Sequence, residues 1–183
     1  MSPQSLATAS ERRELREAAR GSREATEAVV RRYWPIAYRT AYLIVHDPGE
    51  AEEVAQEALL SALGAMRRFD RRRHFHPWLH RIVVNKALDS LRASRGRPET
   101  VELAWQRDVA APKGPPPVPP ELGTALLELD PTDRAIVVLR HLFDYRAGEI
   151  GQMVGLSATA VRTRLQRALD RLRTTLEETQ DEP

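Results

Sequence analysis

The chain has 183 residues; 26 of its 28 cationic residues are arginine, yet its formal net charge is only +2. It contains no cysteine, which excludes a disulfide scaffold, a thiol nucleophile and any cysteine-ligated zinc or iron–sulfur site. No apolar run approaches the roughly 18 residues of a membrane-spanning helix. The N-terminus mixes Glu and Arg without the apolar stretch of a secretory signal, so a cytoplasmic location without membrane insertion is expected.

Residues 1–21 are charged and weakly periodic, and read either as a disordered arm or as an added helix. Val30, Tyr33, Trp34, Ala37, Ala41, Ile44 and Val45 then recur at helical spacing, and Pro35 marks a kink or a new first turn. Asp47-Pro48 reads as a helix start, an N-cap acceptor followed by proline at the first helical position. The helix that follows gathers Ala51, Val54, Ala55, Ala58, Leu59, Ala62, Leu63 and Met66 on one face, with its acids and Gln56 on the other. Another helix begins near Pro77 and carries Trp78, Leu79, Ile82 and Val83, extended by Leu88 and Leu91.

Six prolines between Pro112 and Pro120 rule out a sustained helix or central strand, so this segment reads as a stiff, extended linker. Beyond it, Leu126, Leu127 and Leu129 precede Pro131, and Ala135, Ile136, Val138 and Leu139 suggest a second helix. A short third helix follows near 146–154, and Gly155 suits a helix-ending turn. Ser157 can cap a long fourth helix with Val161, Leu165, Ala168, Leu169, Leu172 and Leu176 inward. No stretch alternates with period two. The expected fold is all-α: two small helical domains over 22–96 and 122–176, the second a helix-turn-helix, joined by a linker over 97–121 and followed by an acidic tail at 177–183.

The small net charge hides strong segregation. Residues 47–57 hold Asp47, Glu50, Glu52, Glu53 and Glu57 and no cation. Residues 67–97 carry a local charge of +8, residues 98–133 one of −5, and residues 156–176 one of +4. Two basic blocks between acidic stretches suggest two contacts with a polyanion and one with something else.

The stretch 147–164 has helix-turn-helix spacing. Small Gly151 stands where a second helix must come close, Gly155 follows at the turn, and Leu156 and Val161 plug the core between the helices. The outward positions Ser157, Thr159, Arg162, Thr163, Gln166 and Arg167 supply hydroxyl, amide and guanidinium groups for base edges and phosphates. The basic block of the first half differs. Arg71, Arg72 and Arg73 run into His74, Phe75, His76, Pro77 and Trp78, then Arg81, Asn85, Lys86 and Arg92. Cations interleaved with aromatics suit a nucleic acid whose bases have left the stack. The competing reading is a solvated arginine face over a core of Phe75 and Trp78. His74, His76 and His80 lack the cysteine or acid that a metal site needs. Asp130 and Asp133 read as caps around Pro131, and no catalytic motif is present, so an enzyme is not expected.

Two helical halves around a proline-rich linker resemble the extracytoplasmic-function (ECF) class of bacterial sigma factors, over about residues 25–175. The stretch from Asp47 to Glu57 is similar to the family's grip on the clamp helices of the polymerase beta-prime subunit. Trp78-Leu79, Arg81-Ile82, Asn85, Asp89 and Leu91-Arg92 resemble the part that melts and reads the −10 element. Leu129-Asp130-Pro131 with Arg134, then Glu149-Ile150-Gly151 to Leu165, resemble the −35-binding module. Leu59 and Leu63 stand where aromatics are frequent, Gly151 where Ala is usual, and Ala160 where Thr is frequent.

The resemblance implies a promoter-recognition subunit with no chemistry and no cofactor of its own. Asp47, Glu52, Glu53, Gln56 and Glu57 would bind core RNA polymerase. Arg71, Arg72, Arg73, Trp78, Arg81, Asn85, Lys86, Asp89 and Arg92 would hold −10 DNA, with a base flipped toward Asn85, Lys86 and Asp89. Ser157, Thr159, Arg162, Thr163, Arg164, Gln166 and Arg167 would take −35 DNA. The linker would lie near the RNA exit path. An anti-sigma factor is an expected partner, and no further C-terminal domain is expected. Two rival readings remain: a stand-alone helix-turn-helix regulator of duplex DNA, and an adaptor that recruits a basic protein.

Overall fold

The computed structural model of the chain describes residues 9–70, 74–94 and 119–180. Arg71, Arg72 and Arg73, most of the expected linker and the end of the acidic tail lie outside the described residues. Among those described there are eight α-helices and no strand. They are α1 (Ala9–Ala19), α2 (Arg23–Val45), α3 (Pro48–Ala65), α4 (Phe75–Ser94), α5 (Pro120–Leu127), α6 (Pro131–His141), α7 (Ala147–Val154) and α8 (Ala158–Gln180), with a 3-10 turn at Met66–Arg68.

Of the two readings of the N-terminal stretch, the structure has the helix. α1 buries Leu15 and Ala19 and packs on α2. Arg32 of α2 donates to both carboxylate oxygens of Glu14, and the buried Tyr33 hydroxyl donates to Glu11. α2 runs through Pro35 as a single helix; the proline and Arg31, whose carbonyl loses its usual partner there, are both exposed. Its N-terminus is capped by Ser22, which accepts from the Ala25 amide. It ends at His46, whose left-handed backbone (φ 62°) lets its amide reach the Tyr42 carbonyl.

The caps foreseen in the sequence are present. The Asp47 carboxylate accepts from the Glu50 amide at 2.6 Å with Pro48 in the first turn of α3. Asp130 accepts from the Thr132 amide at 3.0 Å ahead of α6, and Ser157 from the Ala160 amide at 3.1 Å ahead of α8. The Glu149 carboxylate accepts from the Arg146 amide at the start of α7. Between α7 and α8, Gly155 takes φ 74°, the left-handed conformation that glycine adopts without strain. Gly151 is required by contact: a Cβ there would collide with the Leu156 carbonyl oxygen.

The helices α2, α3 and α4 pack on one another, and α6 and α7 pack on α8. The two expected helical halves are present, and their buried apolar residues join in one continuous cluster. The principal core runs from Leu15 of α1 through Val83 and Ala87 of α4 to Ile136, Phe143, Ile150 and Val161 of the second half. Halves this small bury too little surface to be independently comfortable, and α2 and α4 each retain an apolar face that α6 and α7 cover. A smaller cluster of Ala125, Leu126, Leu129, Val137, Ala168 and Leu172 completes the second half.

Arg134 fastens the arrangement. It is only 5% exposed. Its guanidinium donates to the carbonyl oxygens of Leu126 (2.8 Å), Leu127 (3.0 Å) and Leu129 (3.3 Å), and across to Ile44 at the end of α2 (2.5 Å). Replacement of Arg134 by Ala leaves these carbonyls without that donor, and unfolding by urea is expected to show a loss of about 2–4 kcal/mol. Arg134→Lys is expected to recover only part of it, since an ammonium lacks the planar fork.

Candidate nucleic-acid and protein interfaces

Three exposed strips of different chemistry lie on α3, α4 and α8. On α3 the apolar residues face the core. This leaves Glu52, Glu53, Gln56 and Glu57 exposed along the opposite side, as the spacing predicts. Asp47 is half-buried, held by its capping bond. Leu60 continues the strip one turn beyond Gln56 and is 61% exposed. Sequence reasoning missed it, because a leucine beside Leu59 is naturally counted as core. The signal was its position three and four residues beyond Glu57 and Gln56, on the acidic face. Leu60 thus sets one large apolar side chain in water beside the exposed carboxylates.

On α4, Arg81, Asn85, Asp89 and Arg92 are exposed at helical spacing, in line with half-buried Trp78. The structure therefore brings these five together on one face. Trp78 packs its ring against Phe69 and Phe75 with centroids 4.8 Å and 5.3 Å apart, so its other side is what remains available. Asp89 and Arg92 pair at 2.6 Å. Lys86 leans away from the strip toward α3 and meets Glu57 at 3.0 Å. One turn further on, the Ser90 hydroxyl donates to Glu50 at 2.5 Å. The acidic strip and the α4 strip thus share a border tied by polar contacts. Of the three histidines, His74 is exposed. His76 is half-buried against the Tyr33 ring, and His80 is fully buried. Burial pushes the His76 imidazole below its ordinary value, with Glu11 acting the other way.

On α8, Ser157, Thr159, Arg162, Thr163, Gln166 and Arg167 are all exposed at the N-terminal end, while Val161 is fully buried against α7. Thr159 orders its neighbours: its hydroxyl accepts from Arg162 at 3.3 Å and its carbonyl from the Thr163 hydroxyl at 3.2 Å. Arg164 stands apart from the row. It is half-buried and turned toward the start of α6, where it donates to Asp133 at 2.5 Å and Asp130 at 3.2 Å. Of the two acids expected as caps around Pro131, only Asp130 caps α6; Asp133 lies in its first turn, and both hold the long helix through Arg164. The strip offers guanidinium, amide and hydroxyl groups from a single helix end, the set that fits the major-groove edges of base pairs.

Comparison with known proteins agrees with this layout. The Sigma-70 region 2 family model matches residues 29–97, and the Sigma-70, region 4 model matches residues 121–172. The chain is 34% identical over 165 residues to the probable RNA polymerase sigma factor RfaY of Xanthomonas campestris pv. campestris, covering 85% of this chain and 41% of that protein. The chain thus spans about two fifths of the length of that relative. It is 32% identical over 152 residues to the ECF RNA polymerase sigma factor SigM of Mycobacterium tuberculosis, covering 83% of this chain and 77% of that one. Among solved structures it resembles CnrH in complex with the cytosolic domain of CnrY. The TM-score is 0.63 at 25% identity, over 93% of this chain and 98% of that one. The two regions match in order, one on each side of the proline-rich stretch, and the chain belongs to the ECF family of RNA polymerase sigma factors.

Proposed function

We propose that this chain is a transcription-initiation subunit that docks on core RNA polymerase through α3 and reads a promoter at two places, through α4 and α8. The observation that carries this reading is the separation of three exposed strips by chemistry. Two fit a polyanion, and the third, acidic and centred on Leu60, repels one. A stand-alone regulator of duplex DNA has no use for the third strip.

In this reading Glu52, Glu53, Gln56, Glu57 and Leu60 form the polymerase contact, with Leu60 the apolar anchor and the carboxylates its charged rim. Arg81 and Arg92 take phosphates of the −10 strand, together with Arg71, Arg72 and Arg73, which precede α4 in the sequence. Trp78 offers a ring face to an unstacked base and Asn85 a base-edge partner. Lys86 and Asp89 serve this strip from its border, each already paired within the protein. Arg162, Gln166 and Arg167 meet bases and phosphates of the −35 groove, with Ser157, Thr159 and Thr163 on the backbone beside them. Arg164 acts as a positioning residue, fixing α8 through Asp130 and Asp133. The chain itself carries out no bond chemistry. CnrH was solved in complex with the cytosolic domain of CnrY, which supports a protein partner for this chain too, the anti-sigma factor expected from the sequence.

In vitro transcription with core polymerase and a library of upstream regions tests the proposal: promoter-specific initiation is expected, and its absence overturns it. Glu53→Lys is expected to weaken polymerase binding by about tenfold or more while leaving DNA affinity intact. A stand-alone regulator predicts no change in function. Arg162→Ala is expected to cost about 1–3 kcal/mol in −35 binding and to relax selectivity at one base pair, as read by competition among single-base variants of the site. Arg164→Ala, by contrast, is expected to lower affinity for all of those variants alike.

A further inference from the structure

The seam between the two halves contains two histidines that the proposed function does not use. His80, on the face of α4 opposite the DNA strip, is fully buried. Its Nδ1 lies 2.7 Å from the Tyr145 hydroxyl, and its ring is 4.3 Å, centroid to centroid, from Phe143. Both partners belong to the segment between α6 and α7. Its Nε2 is buried with no hydrogen-bond partner. With Nδ1–H donating to the Tyr145 hydroxyl oxygen, a neutral ring leaves only the bare Nε2 acceptor without a partner. A protonated ring carries an Nε2–H with nowhere to donate, and a charge out of water.

His46 occupies the other end of the seam. It caps α2 in the left-handed conformation, stacks on Tyr42 with centroids 5.3 Å apart, and lies directly against Gly123 of α5. The Arg134 guanidinium of α6 disfavours a second positive charge there. His80 thus meets the second half through a buried contact that disfavours the charged ring, and His46 meets it beside a cation that does the same.

Separation of the halves matters for the proposed function. Elements named for positions −10 and −35 lie about 25 base pairs apart, roughly 85 Å along duplex DNA. A compact chain of this length has a radius of gyration of only about 16 Å. The packed arrangement cannot lay α4 and α8 on both elements at once.

We propose that the seam is an acid-sensitive latch: neutral His80 and His46 hold the halves together, and their protonation releases the second half so that the two DNA-facing strips can move apart. The proposal rests on the two-strip reading above. Its test reads the shape of the free protein, so the two can fail separately.

The signs agree at both positions. Burial pushes His80 down to about 3, and His76 on the same helix adds to that. Burial and then Arg134 hold His46 below its ordinary value. In the open form both rings return toward the free imidazole value of about 6.5. The closed form therefore has its full stability above that pH and loses it as pH falls, by about tenfold in the open-to-closed ratio per unit for His80, with His46 acting in the same direction. The remaining ionisable groups facing His80 do not offset this. Tyr145 is held in its protonated form by burial and by Glu149 of α7, and Arg140 of α6 donates to the Tyr145 carbonyl. On α2, Tyr33 is held protonated by burial and its bond to Glu11.

The chain has no native cysteine, so a dye pair can be attached at Glu24→Cys and Thr174→Cys, one exposed site in each half. Energy transfer in the full-length free protein is expected to fall between pH 7.5 and 5.5 with circular dichroism at helix wavelengths unchanged. His80→Gln, which still bonds Tyr145 but takes no proton, is expected to remove most of the change, and His46→Asn to make it shallower. Constant transfer across the range overturns the proposal. So does an undiminished change in His80→Gln, or a loss of helix in parallel with the change. Should His80→Gln fail to fold, nuclear magnetic resonance of the unsubstituted protein decides. The His80 ring must titrate at the midpoint of the transfer change, and a ring that stays neutral through it overturns the latch.

Discussion

Arg134 is an arginine buried against backbone carbonyl oxygens, and the second half of the molecule is built around how that charge is satisfied. Three carbonyl oxygens at the end of α5 and in the turn to α6, and one at the end of α2, take its donors. Those of Leu127 and Ile44 lie in the last turns of α5 and α2, where a helix leaves carbonyl oxygens without an intrahelical partner. One guanidinium thus completes two helix ends from different halves and fixes α6 against both. The remaining elements inherit this placement. With α6 set, Asp130 and Asp133 at its start become the acids that receive Arg164, and Arg164 sets α8. The exposed row that begins at Ser157 points where it does because the buried Arg134 stands where it does.

The same economy of contacts joins the two strips of the first half. Glu57 and Glu50 belong to the acidic helix, yet each bonds a residue of α4, Lys86 and Ser90. The pair of Lys86 and Glu57 is exposed on both sides, so its own worth is a fraction of a kcal/mol to about 1 kcal/mol. Its importance is positional: a protein that takes hold of Glu57 competes with Lys86 for it and leaves that ammonium facing the nucleic-acid strip. Docking on one surface thereby changes the charge offered by the other without any movement of the backbone.

The helices and their ends were legible because each rests on local physics: a capping oxygen three residues before an amide, a proline in a first turn, a glycine at a positive φ. The exposed rows on α3, α4 and α8 were legible for a similar reason, since a helix whose apolar face is known has its polar face determined. Four things were not readable. Arg164 lies in the same sequence run as Arg162 and Arg167, and nothing local says that its partners are acids thirty residues earlier. Leu60 looks like one more core leucine until α3 is rotated to its true angle. Periodicity says which face of α2 or α4 is apolar but not what covers it, so the shared core was invisible. His80 appeared in the sequence only as a member of a histidine group; its partners Phe143 and Tyr145 lie some sixty-five residues further on.

The distance along the chain between partners in the seam also has a consequence in time. Ile44 and Arg134 are 90 residues apart in sequence. A ribosome adding about 5–20 residues per second finishes the first half on the order of 5–20 s before the residues that cover it exist. For that interval the nascent chain presents the apolar faces of α2 and α4 with no internal partner, on a surface that the finished protein hides. Whatever meets the chain on the ribosome meets that surface first: a chaperone, a second nascent copy, or an inhibitor synthesised beside it.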